Sequence, residues 1–293
     1  MSDSAPSIAA SVPVSPATRF WRHPVTCLVA EFFLLAIPLN RAYGFAMGLE
    51  YELPLFQGLV FALLGGFAAV CGYVLYARYI ARRDAHELVA VRAPDLFRGF
   101  ALGTLLMVVN VAIVALAGDL GLGPGGWPAH AGLPGVALLA GVYEEVIARG
   151  VVFRNLENVF GSVIAVALSA ALFGALHIGN PHATPLSAVA IGLEGGVLLA
   201  AVYMATRSLW WPIGLHVAWN FTETSVFGIA DSGNPGRGLL RAEFSGPEWL
   251  TGGEFGIEAS LVAVIVCLVA ATWFFVRAHR AGRFVAPIWE RRQ

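Results

Sequence analysis

The stretch GVALLAGVYEEVIARGVVF, residues 135–153, decides how this chain is read. It is apolar over about the 20 residues needed to cross a bilayer, yet Glu144, Glu145 and Arg149 lie inside it. At a helix centre each ionised residue costs about 2.5–3.5 kcal/mol to insert, so the three together cost on the order of 8 kcal/mol before compensation. Glu145 and Arg149 are four apart, on one helical face and in the favourable acid-then-base order, so they can neutralise each other. Glu144 points about 100° away from Glu145 and is the carboxylate left to face a cavity. The competing reading is a three-charge cluster that only fixes helix register.

The surrounding sequence supports a membrane setting. Of 293 residues 58% are hydrophobic and 13% charged, with mean hydropathy +0.72, far from ordinary soluble domains. The expected fold class is all-α, a polytopic integral membrane helical bundle with about eight transmembrane helices. They fall near 25–40, 56–78, 97–117, 132–153, 161–179, 185–206, 210–228 and 256–276, the first weakened by Glu31 and Pro38. Arginines test this count, because basic residues concentrate on the cytoplasmic side. Arg19, Arg22, Arg78, Arg82, Arg83, Arg92, Arg98, Arg154, Arg207, Arg277, Arg280, Arg283, Arg291 and Arg292 all fall on one side of an eight-span arrangement; the other side holds Arg41, Arg237 and Arg241. This predicts a multi-pass protein of the cell (inner) membrane with both termini cytoplasmic.

The expected organisation is a disordered cytoplasmic tail (1–23), N-terminal transmembrane helices (24–130), a core (131–230), an extracytoplasmic loop (231–255), and a last span with a basic tail (256–293). No internal repeat is apparent. A net charge of −1 and the lack of any basic run interleaved with aromatics exclude nucleic acid as a partner. Cys27, Cys71 and Cys267 each stand alone in apolar runs and form no ligand or disulfide pattern.

Two further spans carry polar chemistry. FGALHIGN, residues 173–180, sets Phe173 and His177 four apart, and GLHVAWNF, residues 214–221, does the same for His216 and Asn220. Taken singly, each histidine reads as a hydrogen-bonded packing residue; together with an isolated glutamate in a third span they read as a site. A carboxylate and an imidazole can take a proton from water and pass it to a leaving group, while a second imidazole and an amide can donate to an oxyanion. No serine or cysteine sits in a nucleophile setting, so attack by water on a peptide bond is the simplest reaction. Two histidines and a glutamate are also a zinc ligand set, although no HExxH helix is present. The residues alone leave a metal-held and a glutamate-held water both open. Depth is less accommodating. At about 1.5 Å per residue from the cytoplasmic ends, Glu144 lies about 14 Å deep, Asn220 about 12 Å, His216 about 6 Å and His177 about 24 Å, so upright helices would not bring His177 to Glu144.

EEVIARG, FGALH and HVAWN resemble the EExxxR, FxxxH and HxxxN motifs of the CAAX protease and bacteriocin-processing family, also called Abi. TGGEFGIEAS, residues 251–260, is similar to a glycine and glutamate segment ahead of the last span in that family. The resemblance implies an intramembrane endopeptidase acting on membrane-associated or lipidated protein or peptide substrates within the lipid. It implies that Glu144 activates water with His177, that His216 and Asn220 stabilise the oxyanion, and that Glu145 and Arg149 support the site. It implies either a metal-free glutamate mechanism or a divalent metal such as zinc on Glu144, His177 and His216. A non-catalytic bacteriocin-immunity or scaffold protein of the same fold is the alternative.

Overall fold

The computed structural model describes residues 23–50, 53–88, 92–126 and 133–291. Residues 1–22 of the expected disordered tail, with Arg19 and Arg22, and also His130 and Arg292, lie outside them. The protein is a multi-pass helical membrane protein. Six helices among the described residues are long and apolar enough to cross a bilayer: Pro24–Gly48 (α1), Leu55–Ile80 (α2), Ala93–Leu116 (α3), Leu133–Gly179, Pro185–Thr206 (α6) and Leu261–Arg280 (α8). The expected eight are thus six by length and composition. The difference lies in two places. Leu133–Gly179 runs 47 residues but breaks at Gly161 (φ +78°) into α4 (133–160) and α5 (162–176). The helix of residues 210–226 (α7) is short, with 12 residues of α-helix followed by a wider five-residue turn.

The break at Gly161 has a physical cause. A Cβ there would lie 2.8 Å from both Val285 O and Pro287 N, because the C-terminal segment crosses the chain at this point. Ser162 N donates to Val285 O, and Ile288 N donates to Val159 O (2.9 and 3.0 Å). The segment after α8 thereby satisfies backbone groups that the interruption frees.

Pro38 cannot donate to the helix ladder, and the turn just before it, Phe32–Ala36, is widened. The first span still forms. Its Glu31 is buried, accepting from Arg154 Nη2 and from Asn155 Nδ2 (2.7 Å). Nearby, Arg83 Nη1 donates to Glu87 (2.9 Å), and Arg207 pairs with Glu157. Arg283 reaches the carbonyl of Ala205. Arginines assigned to one side by sequence therefore meet at one end of the bundle, knitted to buried acids. The outward faces of the spans are apolar, with Phe56, Phe67, Phe97, Leu116 and Val163 exposed, as lipid contact requires.

The loop expected over 231–255 contains a strand. Leu240–Phe244 (β2) pairs antiparallel with Leu120–Pro124 (β1), Leu122 opposite Ala242. Gly-rich LGLGP gives no alternating pattern, which is why the pairing is not visible in the sequence.

Glycines set the helix spacing around the site. A Cβ on Gly99 would lie 2.2 Å from Trp211 O, and one on Gly103 2.2 Å from Leu215 O. The backbones of α3 and α7 touch along this GxxxG edge. Gly141 on α4 meets Val217 equally closely, its Cβ position 2.4 Å from Val217 Cγ2. This contact holds α7 against α4 one residue from His216 and three from Glu144.

Candidate active site

Glu144, His177, His216 and Asn220 line one cavity of about 350 Å³. The cavity runs from Ala140 and Glu144 on α4 to Asn180, Asp231 and Asn234 in the loops beyond α5 and α7. That reach is how residues at different depths share one space. Phe173 also lines it, its ring 4.8 Å from that of His177 and 6.3 Å from that of His216, centroid to centroid.

The two glutamates separate as their helical angles predict. Glu145 is fully buried and accepts from Arg149 Nη1 at 2.7 Å. Arg149 Nη2 donates to the carbonyls of Gly195 and Gly196 (2.8 and 3.1 Å), and its guanidinium stacks 4.7 Å from the centre of the Phe173 ring. Those carbonyls belong to a widened turn, Gly192–Gly196, and wider turns displace carbonyls from their usual intrahelical partners. Glu144 instead faces the cavity and accepts from the hydroxyl of Tyr43 at 2.8 Å.

Both imidazoles are oriented through Nδ1. His216 Nδ1 lies 3.0 Å from Glu145 Oε1, and His177 Nδ1 lies 2.7 Å from the Phe173 carbonyl. A carboxylate and a carbonyl can only accept, so each Nδ1 carries its proton and each Nε2 is left for other work. His216 Nε2 is 3.9 Å from Glu144 Oε2, beyond a hydrogen bond. Asn220 follows His216 by one turn on the cavity side of α7, and its carbonyl accepts from Thr224 Oγ1 at 2.7 Å.

As a zinc set, Glu144, His177 and His216 do not gather. Among the described residues, the group whose ligand atoms converge is Glu223, Asp231 and Glu258, all within 4.8 Å of one another.

Several cavity residues escape the motifs: Tyr43, Glu194, Asp231, Ser232 and Glu258. Glu194 is buried in the widened turn of α6 and accepts from Cys267 Sγ at 3.5 Å. This gives one of the lone cysteines a packed role. Glu258 accepts from Trp219 Nε1 (2.9 Å) and from Ser232 N and Oγ (2.9 and 2.7 Å). Burial and then the neighbouring Glu258 push the carboxyl of Asp231, in the loop outside the spans, well above the usual carboxylate range. A buried glutamate in GLEGG or TGGEFGIEAS is a signal of this wall, since an acid inside a span needs a reason.

A carboxylate and two oriented imidazoles around a buried cavity in a membrane bundle form the kind of site a membrane-embedded protease uses. Residues 126–222 match the family described as Type II CAAX prenyl endopeptidase Rce1-like, a segment that includes all three motifs. This segment, about a third of the chain, is similar to the CAAX protease family and supports, in general, a CAAX-type intramembrane protease. No curated protein and no solved structure matches it significantly.

Proposed function

We propose that the protein is an intramembrane endopeptidase that hydrolyses peptide bonds of membrane-associated or lipidated proteins with a water held by Glu144 and His177. The observation that carries this reading is the shared cavity: a carboxylate with no arginine partner among the described residues, with His177, His216 and Asn220 on the same walls. Glu144 takes the proton of the attacking water, which His177 Nε2 helps to hold, and the proton passes to the leaving amine. In its protonated form His216 donates Nε2–H to the oxyanion alongside the Asn220 amide. Glu145 and Arg149 position His216. The Tyr43 hydroxyl, donating at 2.8 Å, positions Glu144.

Substrate reaches the site from the lipid. A second hollow, lined by Phe32, Ile37, Phe45, Leu172 and Leu176, shares Asn40, Gly44, Ile147 and Leu176 with the catalytic cavity. It lies between α1 and α5 and is wide enough for an alkyl chain or an extended peptide. The arginine-bearing end is cytoplasmic and the protein resides in the cell membrane.

The test is a terminal-peptide mass spectrometry comparison of cells expressing wild type and Glu144→Gln at matched levels. New termini that require Glu144 are expected. Identical termini, with both proteins inserted, would refute proteolysis and favour a binding protein of the same fold.

A further inference from the structure

Behind the catalytic wall, Glu223, Asp231 and Glu258 bring one carboxylate oxygen each to within 4.8 Å of one another. Glu223 ends α7, Asp231 lies in the following loop, and Glu258 sits in the turn Ile257–Ala259 that precedes α8. We propose that these three carboxylates bind a hard divalent cation of the calcium type, which ties the loop to both helices and shapes the cavity wall.

Three observations carry the assignment. Glu223 is fully buried, and among the described residues neither of its carboxylate oxygens meets an N–H donor or a hydroxyl; its side-chain neighbour is the Glu258 carboxyl. A carboxylate in that state is strongly unfavourable unless a proton or a cation neutralises it. Glu258 differs, with donors from Trp219 and Ser232; among the described residues Glu223 has no such N–H or hydroxyl donor.

The charge balance is the second. Among the described residues no arginine lies within ion-pair distance of any of the three. Arg149, the buried cation of the catalytic site, is taken by Glu145 and two carbonyls, and His216, whose charge Asp231 also feels, lies nearest Glu144 and Glu145.

The third is the donor set. All three ligands are carboxylate oxygens, which suit calcium and magnesium rather than zinc or copper. Two oxygens on one calcium ion, each about 2.3–2.6 Å from it, are at most about 5 Å apart, and the three oxygens here satisfy that limit. Asp231 and Glu258 also line the catalytic cavity, so the ion would hold that wall in place without touching the reacting atoms.

The experiment uses full-length protein in detergent, stripped with EDTA and titrated with CaCl₂ or MgCl₂ alone while thermal unfolding is followed. A saturable rise in Tm is expected, about 5 °C at an ion concentration a hundredfold above the dissociation constant. It should be lost in the isosteric Glu223→Gln and kept in Glu254→Gln, an exposed acid nearby. Should Glu223→Gln not fold, Tb³⁺ luminescence excited through tryptophan reads the wild type directly, since Trp219 Nε1 lies 2.9 Å from Glu258. Calcium should quench that emission by competition. No Tm response to either ion, together with no competable Tb³⁺ signal, overturns the proposal. So does a response undiminished in Glu223→Gln, or a Glu223→Gln protein that is more stable than wild type with and without ions, which would mean carboxyls sharing protons.

Discussion

Replacing Arg149 by methionine isolates the energetic role of the charge pair. Met conserves most of the volume and the contact with Phe173, but removes the Nη1 bond to Glu145 at 2.7 Å and both Nη2 bonds, to Gly195 O and Gly196 O. Glu145 is then a fully buried carboxylate whose one remaining partner is His216 Nδ1, with Oε2 already unpartnered. Breaking a buried pair from one side costs about 3–5 kcal/mol, and the two released carbonyls place this case in the upper part of that range. The folded-to-unfolded ratio should fall by about three to three and a half orders of magnitude. Denaturant unfolding in detergent micelles, followed by tryptophan fluorescence, measures it. The double variant Glu145→Met with Arg149→Met removes both charges and should recover stability to within about 2 kcal/mol of wild type, though not activity, because His216 loses its acceptor. Two results would refute the reasoning: a single variant destabilised by less than about 1 kcal/mol, or a double variant no more stable than the single.

Tyr43→Phe removes the 2.8 Å bond to Glu144 from a partly buried position; a charge-assisted hydrogen bond of about 1.5–3 kcal/mol predicts roughly a 10- to 100-fold fall in kcat/KM with little change in unfolding. Gly103→Ala would set a Cβ 2.2 Å from Leu215 O, while Gly72→Ala meets nothing within 4 Å. Separating α3 from α7 should cost about 1–3 kcal/mol in the first and leave the second near wild type, read by Tm. Glu87, in the loop after α2, has its carboxyl pushed up by burial but held below the usual range on balance by Arg83 and the Tyr73 hydroxyl. A depressed folded-state value gives stability that is present above the unfolded pKa and lost as pH falls through the folded one. Acid unfolding should therefore steepen below the ordinary glutamate range and flatten in Glu87→Gln; superimposable pH curves would count against this pairing.

Much of this was legible because a membrane enforces simple rules. Apolar runs located the helices, most of them within a few residues, although α1 runs to Gly48 instead of 40 and α4 to 160 instead of 153, and the angular positions of Glu144, Glu145 and Arg149 separated the carboxylate paired with arginine from the one facing the cavity. Period and charge could not reveal what depends on distant chain. Tyr43 reaches Glu144 across 101 positions, and nothing in AYGF marks it. The C-terminal segment reads as a basic tail, yet it fills the break at Gly161 through backbone bonds that carry no side-chain signal. Glu194 and Glu223 stand in apolar surroundings but were not singled out in the sequence, and their convergence with Glu258 needs the loop between α7 and α8 to fold back.

The helices depart from regular winding where these charges sit. Widened turns cover Val146–Phe153 with Arg149, Gly192–Gly196 with Glu194, and Thr222–Val226 with Glu223. A wider turn adds a residue without adding a hydrogen bond, so it re-aims side chains and leaves carbonyls displaced. Inside a membrane those carbonyls need partners from the protein itself, and Arg149 supplies them at Gly195 and Gly196. The same guanidinium neutralises Glu145, which in turn orients His216. Distorted winding and buried charge thus stabilise one another here. Straightening α6, for example by Gly195→Leu, should disturb His216 through Arg149, although the substituted residue touches neither imidazole; a Gly195→Leu protein with normal stability and an unchanged pH–rate profile would break that chain of argument.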